Sequence, residues 1–326
     1  MKAIRFEKTG GPEVLGYTDV ELPPPGTGEA RVRHSAIGVN FIDTYYRSGL
    51  YPVKLPSGLG SEAAGVVTAL GEDVSGLKTN VSIGDRVAYA GPLGAYAEEA
   101  NVPAARLVKL PDGIGDDIAA AAMLKGMTVQ YLLTRTFMVQ KGMTILFHAA
   151  AGGVGLIAGQ WAKHLGATVI GTVGSDDKIA LARAHGYDHV FNMRKEDWVA
   201  RVRELSGGEG LPVVYDSIGK DSWDGSLDCL APRGLMVSFG NASGAVPPFA
   251  PGILAAKGSL YLTRPSLLHY TRTRAELQET ADDLFAVIAS GAVKIEVRQR
   301  FKLANAADAH RALEGRKTTG ATVLVP

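Results

Sequence analysis

Apolar residues fall into two textures along the chain. Over the first hundred positions they come in short alternating runs, Ala30-Arg31-Val32-Arg33-His34, Ala64-Gly65-Val66-Val67-Thr68 and Arg86-Val87-Ala88-Tyr89, each cut off by Gly or Pro nearby. A period of two puts every second side chain on one face, so these runs predict short strands of an irregular, mostly β region. Pro23-Pro24-Pro25, with Gly26 and Gly28 after it, predicts a stiff loop between strands, because strand-like sequence resumes at once. From about Pro111 the spacing lengthens. Residues 118–133 carry Ala, Met, Leu and Val at helical intervals, Thr144 to His148 form an apolar strand, and Ile157, Trp161 and Leu165 line one face of a helix over 156–165. Strands are predicted at 167–173, 189–191, 212–215, 235–239 and 260–263, with helices near 176–185, 197–206 and 221–230 between them. Strand and helix in alternation build a doubly wound parallel sheet. Leu277, Ala281, Leu284, Phe285 and Ile288 then mark an amphipathic helix. β character returns at 293–302 and 321–325, which predicts that the C-terminus folds back to complete the first region.

Length and composition narrow the function classes. At 326 residues the chain has room for two cores, since single cores stop growing at roughly 250 to 300 residues. Thirty-four Lys plus Arg against 33 Asp plus Glu leave a formal charge of +1, so no global field draws nucleic acid or an anionic membrane. Met1-Lys2-Ala3-Ile4-Arg5-Phe6 lacks the basic-then-apolar order of a secretory signal, and no apolar run reaches the ~18 residues of a span. A cytoplasmic protein is expected. The single cysteine, Cys229, excludes an intrachain disulfide and any zinc site built on several thiolates; in its apolar stretch it is predicted to be a buried, inert thiol. His34 and His148 lack metal-ligand spacing, His148 reads as a satisfied strand-end residue, and no metal is expected. Arg272, Arg274, Arg298, Arg300 and Lys302 read as solvated charges.

The chemistry is concentrated in a glycine turn. Ala149-Ala150-Ala151-Gly152-Gly153-Val154-Gly155 follows one predicted strand and opens one predicted helix, the context that turns a weak glycine pattern into a dinucleotide site. Gly152 and Gly153 let backbone approach a pyrophosphate, and Gly155 allows helix to pack tightly on strand, so that phosphate meets free N–H groups and the positive helix end. About 20 residues on, where NAD enzymes present a carboxylate to the ribose, stand Gly174-Ser175. Small residues leave room for a 2′-phosphate, Ser175 can donate to it and Lys178 can supply charge, while Asp176 and Asp177 are expected to cap the following helix. NADPH is the expected cofactor.

Read together and in order, further motifs span nearly the whole chain. They include Ala36 to Tyr45 (AIGVNFIDTY), Arg47 to Pro52 (RSGLYP), Leu59-Gly60-Ser61-Glu62-Ala63-Ala64-Gly65, Gly84-Asp85-Arg86-Val87, Lys125 to Val129 (KGMTV), Val214-Tyr215-Asp216-Ser217, Ser238-Phe239-Gly240-Asn241 and Arg264-Pro265-Ser266. In these the sequence resembles the zeta-crystallin-like quinone oxidoreductases, zinc-free members of the medium-chain dehydrogenase/reductase superfamily. The resemblance implies an α/β protein with a GroES-like irregular β domain over residues 1–124 and 267–326, a Rossmann NADPH-binding domain over 125–266, and a homodimer that pairs the strand at 260–263 with its mate. Zinc-dependent relatives carry Gly-His-Glu where this chain has Gly60-Ser61-Glu62, which places it among the zinc-free members and gives Glu62 a structural polar role.

By the same resemblance the nicotinamide lies in a cleft between domains near Asn40, Tyr45, Tyr51 and Thr128, flanked by Phe41 and Ile42. Ala151 to Val154 take the pyrophosphate, Gly174, Ser175 and Lys178 the adenosine side, and Ser217, Phe239, Gly240, Asn241, Arg264, Ser266 and Arg316 the remainder. The family often has an aromatic or polar residue where this chain has Met193, which leaves Lys178 or Arg194 to carry that contact. A quinone accepts a hydride readily, so orientation is the main task, with Tyr51 or Asn40 donating to the oxygen on which charge develops and Tyr45 beside them. Two other readings stay open: an enoyl-thioester or alkenal reductase on the same fold, and a non-catalytic crystallin-like or RNA-binding role, against which the even charge balance and intact glycine turn argue.

Overall fold

The alternating runs of the first third become strands β1 (Lys2–Phe6), β2 (Gly16–Asp19), β3 (Glu29–Val39), β4 (Ser57–Gly58), β5 (Glu62–Leu70), β6 (Arg86–Ala90), β7 (Glu99–Pro103) and β8 (Val108–Lys109) in the computed structural model, which describes residues 1–77 and 79–326. Along β3 the alternation reads directly as burial: Ala30, Val32 and His34 point inward, Arg33 and Ser35 outward, and beyond Ala36 both faces are covered. A short helix, α1 (Phe41–Ser48), leaves β3 at Asn40 and stops at Gly49, which takes φ +86°. The proline run lies in the loop between β2 and β3, as expected.

From Asp116 the helical texture gives α2 (Asp116–Tyr131), which loosens into a π turn at Leu132–Thr136. Then come β9 (Thr144–Phe147), α3 (Gly153–His164), β10 (Thr168–Val173), α4 (Ile179–Ala184), β11 (His189–Asn192), α5 (Trp198–Leu205), β12 (Leu211–Asp216), α6 (Trp223–Asp228), β13 (Leu230–Ser238), α7 (Gly252–Ala256) and β14 (Tyr261–Thr263). The chain closes with α8 (Leu267–Tyr270), α9 (Arg274–Ala289), β15 (Val297–Lys302), α10 (Ala306–Glu314) and β16 (Ala321–Val325). Helix α9 opens on a reciprocal cap, Thr273 accepting from the Glu276 N–H and Glu276 from the Thr273 N–H.

These elements fall into two compact units. The first comprises Met1–Met127, Tyr270–Ser290 and Ile295–Pro326; the second comprises Thr128–His269 and Gly291–Lys294. In the first, β15-β16-β3-β5-β6-β8 form one sheet with β7 also pairing β3, and β2-β1-β4 form another. The returning C-terminus enters as β16, antiparallel to β3 with Val323 opposite Gly38. Ile4, Phe6, Val32, Ile37, Leu59, Val67, Val87, Tyr89, Tyr96 and Leu324 make its core. In the second unit the strands run parallel in the order β11-β10-β9-β12-β13-β14, with helices between. Leu146, Ile170, Val214 and Met236 pack there with Trp198, Trp223 and Cys229. Burial pushes the Cys229 thiol up to about 12, which makes it the inert thiol expected.

Candidate active site

A parallel sheet offers its ligand site at the carboxyl edge, where the strand order reverses. Here the reversal lies between β9 and β12, which neighbour each other while their onward connections lead to opposite sides of the sheet. The turn from β9 into α3 is built for close approach. Ala149 takes φ +54°, a left-handed conformation that side chains rarely adopt, and Gly152 opens α3 with no side chain capping its first N–H groups. A methyl group at Gly155 would lie closer than 3.0 Å to the carbonyl oxygens of Ala149 and Ala150. The helix start therefore keeps its bare donors against the turn, the arrangement that receives an anion. Tyr187, fully buried, holds α3 from behind by donating to the Gly155 carbonyl at 2.8 Å.

At the end of β10 Asp176 and Asp177 stand in the first turn of the helical segment that leads into α4 and give that end the negative charge expected, but no side chain caps it by a hydrogen bond. Asp176 accepts from Asn192 Nδ2 at 2.6 Å and from Lys195 Nζ at 2.5 Å, so its charge is turned toward the segment after β11. A Cβ added at Gly174 would meet as its nearest neighbour Arg194 Nε, 4.0 Å away, which places the exposed guanidinium of Arg194 beside the strand end. After β12 and β13, Ser217 and Gly240 press together, with room at Gly240 for no side chain. Arg264 follows β14 and donates to Ser238 Oγ at 3.2 Å and the Gly240 carbonyl at 3.0 Å; with its amide oriented to suit, Asn241 donates to the Gly240 carbonyl and accepts from Arg264. Ala151, Gly152, Gly153, Val154, Gly174, Ser175, Lys178, Met193, Ser217, Phe239, Gly240, Asn241, Arg264 and Ser266 thus all follow strand ends of one carboxyl edge. Thr128 is carried instead by α2.

In the first unit a buried polar network gathers at the start of α1. Asn40 Nδ2 donates to Glu62 Oε2 at 2.8 Å, and Glu62 also accepts from Lys125 Nζ at 2.9 Å and from the Leu124 N–H at 2.6 Å. All three side chains are buried, and Gly38 makes the space, since a Cβ there would collide with the Glu62 carboxylate. Asp43 accepts from the Asn40 N–H at 2.8 Å, Ser61 Oγ at 2.8 Å and the Tyr96 hydroxyl at 3.0 Å. Burial pushes the Asp43 carboxyl up to about 6, outweighing those hydrogen bonds and the nearby Lys125 charge. Tyr96 continues to His310, and Arg47 joins His310 to Glu314. Beside the network Tyr51 packs edge-on to Tyr45 and Tyr46, ring centres 5.2 and 5.7 Å away, and Phe41 lies 6.4 Å from Tyr45.

Asn40, Phe41, Ile42 and Tyr45 therefore share α1 and its cap, with Tyr51 against them, whereas Arg316 is an exposed residue after α10 at φ +57°. Arg274 is not the solvated charge expected: it donates to the Leu107 carbonyl and to Gln278. Arg298 and Arg300 pair with Glu296 and Asp117. Asp43 and Lys125 stood in the sequence only as members of quoted motifs, without a role, and Tyr96 and His310 were not singled out at all; an Asp at the third residue of a helix opened by Asn was the one signal for Asp43. Among the described residues no group of three His, Cys, Asp or Glu is placed to hold a metal, and no helix is long and apolar enough to cross a membrane.

Two family models match, an alcohol dehydrogenase GroES-like domain over residues 26–112 and a zinc-binding dehydrogenase over residues 153–286. A quinone oxidoreductase of Pseudomonas aeruginosa is 58% identical over 100% of this chain and 99% of its own. The chain belongs to the quinone oxidoreductases. The crystal structure of the Escherichia coli quinone oxidoreductase complexed with NADPH superposes with a TM-score of 0.97, at 52% identity and full coverage of both chains. A 2-haloacrylate reductase of a Burkholderia species is also similar, 45% identical over 99% of this chain and 98% of its own. Within the quinone oxidoreductase fold the two units are the GroES-like β domain and the Rossmann sheet.

Proposed function

We propose that this protein is an NADPH:quinone oxidoreductase. The observation that carries the reading is the full-length identity to quinone oxidoreductases, one of them solved with NADPH. The residues at the carboxyl edge fit that cofactor: the N–H groups of the first turn of α3, after Gly152, which no side chain caps, for the pyrophosphate, and Gly174-Ser175 with Arg194 and Lys178 where the 2′-phosphate belongs. Asp176 accepts from Asn192 and from the Lys195 ammonium, which offsets its negative charge on that side. When bound, NADPH supplies the hydride.

Residues 125–266 serve as the cofactor domain in this reading, and residues 1–124 with 267–326 as the domain that meets the acceptor. Glu62 takes one Nδ2 hydrogen of Asn40 and so fixes the amide, whose other N–H is left to donate to a quinone oxygen as charge develops. Tyr51 is the second donor and Tyr45 its wall. Ser217, Phe239, Asn241, Ser266, Thr128 and Arg316 complete the cofactor contacts. Two copies pair along β14, a short edge strand on which Tyr261 is 62% exposed, and the protein works in the cytoplasm.

The test is the initial rate of NADPH oxidation, with NADH in parallel, on para-benzoquinone, a naphthoquinone and a short enoyl thioester. Fast turnover of a quinone with NADPH and little with NADH is expected. Turnover of the enoyl substrate alone would replace the reading with carbon–carbon double-bond reduction, which the similarity to the 2-haloacrylate reductase keeps as the second candidate.

A further inference from the structure

A buried network in the Rossmann sheet joins the two loops that flank the point where the strand order reverses. His148 stands between β9 and the glycine turn; its Nδ1 lies 2.7 Å from Thr172 Oγ1 on β10 and its Nε2 3.0 Å from Ser226 Oγ on α6. Ser226 Oγ lies 2.6 Å from Asp216 Oδ2 at the end of β12, and Ser222 Oγ lies 2.7 Å from the same oxygen. The other Asp216 oxygen accepts the backbone N–H groups of Ile218 at 2.7 Å and Gly219 at 3.0 Å, which shapes the loop that carries Ser217. All five side chains are buried.

Proton positions follow by elimination. A carboxylate only accepts, so the hydroxyl hydrogens of Ser222 and Ser226 both point at Asp216. Ser226 must then accept from His148 Nε2–H. That leaves Nδ1 bare, and Thr172 donates to it. Every hydrogen bond runs one way, from Thr172 through His148 and Ser226 to Asp216, and burial holds the imidazole below its ordinary pKa and hence neutral. Ser, His and Asp are the residue types of a hydrolytic triad, but here the carboxylate contacts the serine instead of the imidazole, and none of the three reaches solvent. The arrangement cannot be a nucleophile site. It is a tie between loops.

We propose that His148 is a positioning residue for cofactor binding, which through Ser226 and Asp216 locks the pyrophosphate turn at 149–153 to the loop at 217–219 so that both present their backbone together. The inference rests on the NADPH reading. Thr172→Val is the decisive variant because it is isosteric and removes only the hydroxyl that fixes the imidazole, while Thr172→Ser restores it. Expected for Thr172→Val is a dissociation constant for NADPH raised about fivefold or more, with Thr172→Ser returning toward the parent. In the unliganded protein, amide hydrogen exchange should quicken in 149–153 and in 217–219 together, although the substitution is on neither segment. Exchange that quickens only around residue 172, or a lowered melting temperature with unchanged NADPH affinity, overturns the proposal and leaves the NADPH reading standing. A parent protein that binds no NADPH removes both.

Discussion

At the scale of single residues, the start of α1 shows how one carboxylate orients a neutral amide. Glu62 is fully buried, and its charge is tolerable because Lys125 Nζ, Asn40 Nδ2 and the Leu124 N–H all converge on it. Removing one ion of such a pair strands the other. Lys125→Met should therefore cost about 3 to 5 kcal/mol in urea unfolding, whereas the double change Lys125→Met with Glu62→Leu should cost less than the single one, since no charge is left uncompensated; an additive double variant would show that the pair is not coupled. Asn40 would lose its fixed orientation only in the double variant, which removes its acceptor Glu62. A separate residue-scale prediction concerns Tyr51, whose edge-on contacts with Tyr45 and Tyr46 fix its ring. If its hydroxyl donates to the reduced oxygen, Tyr51→Phe lowers kcat by roughly tenfold or more and leaves the Michaelis constant for NADPH unchanged. Unchanged steady-state kinetics would make Tyr51 a wall residue.

At the scale of elements, the glycine turn depends on how closely α3 approaches the backbone before it. Gly155 admits no Cβ against the Ala149 and Ala150 carbonyls, and Tyr187 fills a slot left by Gly159 and Gly171, where side chains would collide with its ring. Gly155→Ala should push α3 off the turn at a cost of about 1 to 3 kcal/mol, and it should remove most of the NADPH-dependent gain in stability. That gain is about 2.7 kcal/mol for an intact site at a hundredfold excess over Kd, read as the shift in melting temperature with and without cofactor. A full shift in Gly155→Ala would mean the cofactor does not use this turn. The turn, its strand and its helix were legible because glycine spacing and apolar period coincide there, and the parallel sheet followed from alternation. Tyr187 was not legible, because its partner is a backbone carbonyl 32 positions earlier. Strand β13 begins earlier than its apolar run, since Pro232, Arg233 and Gly234 interrupt the pattern while β12 shifts register beside them. β15 begins at Val297, later than the predicted 293–302, because Val293 and Lys294 belong to the second unit, where the Lys294 backbone is tied to the Gln160 side chain. Of the helices that were not predicted, α7 and α8, with five and four residues, offer too few turns for a periodic signal.

At the scale of the whole molecule, the charge total of +1 hides titratable groups that folding has moved far from water, and these set how the protein responds to acid. Nothing in a residue count distinguishes them; only three-dimensional burial does. His34 donates through Nδ1 to the Ala97 carbonyl and accepts from the Tyr89 hydroxyl, and burial pushes it down to about 4. His310, beside the Arg47 guanidinium, is pushed down to about 3, mainly by burial. His148 is also lowered. A histidine with a depressed folded pKa binds its proton first in the unfolded chain, near the ordinary 6.5, so stability falls as pH drops below that value and goes on falling to the folded pKa. Asp43 acts in the opposite sense. Its folded pKa of about 6 lies above the ordinary 3.8, so between those values the folded state holds more protons and gains stability as pH falls. At ~1.36 kcal/mol per pKa unit His34 and His310 alone outweigh the carboxyl, with a net loss on the order of 4 kcal/mol between pH 7 and pH 4. Urea midpoints across that range should show the loss beginning near pH 6.5, well above the carboxylate range. Asp43→Asn should steepen the decline below pH 6, and His34→Gln should shallow it. A stability curve flat down to pH 5 in the parent protein would mean that these buried imidazoles open to water before they titrate, so that the networks around α1 and α10 are looser than their hydrogen bonds indicate.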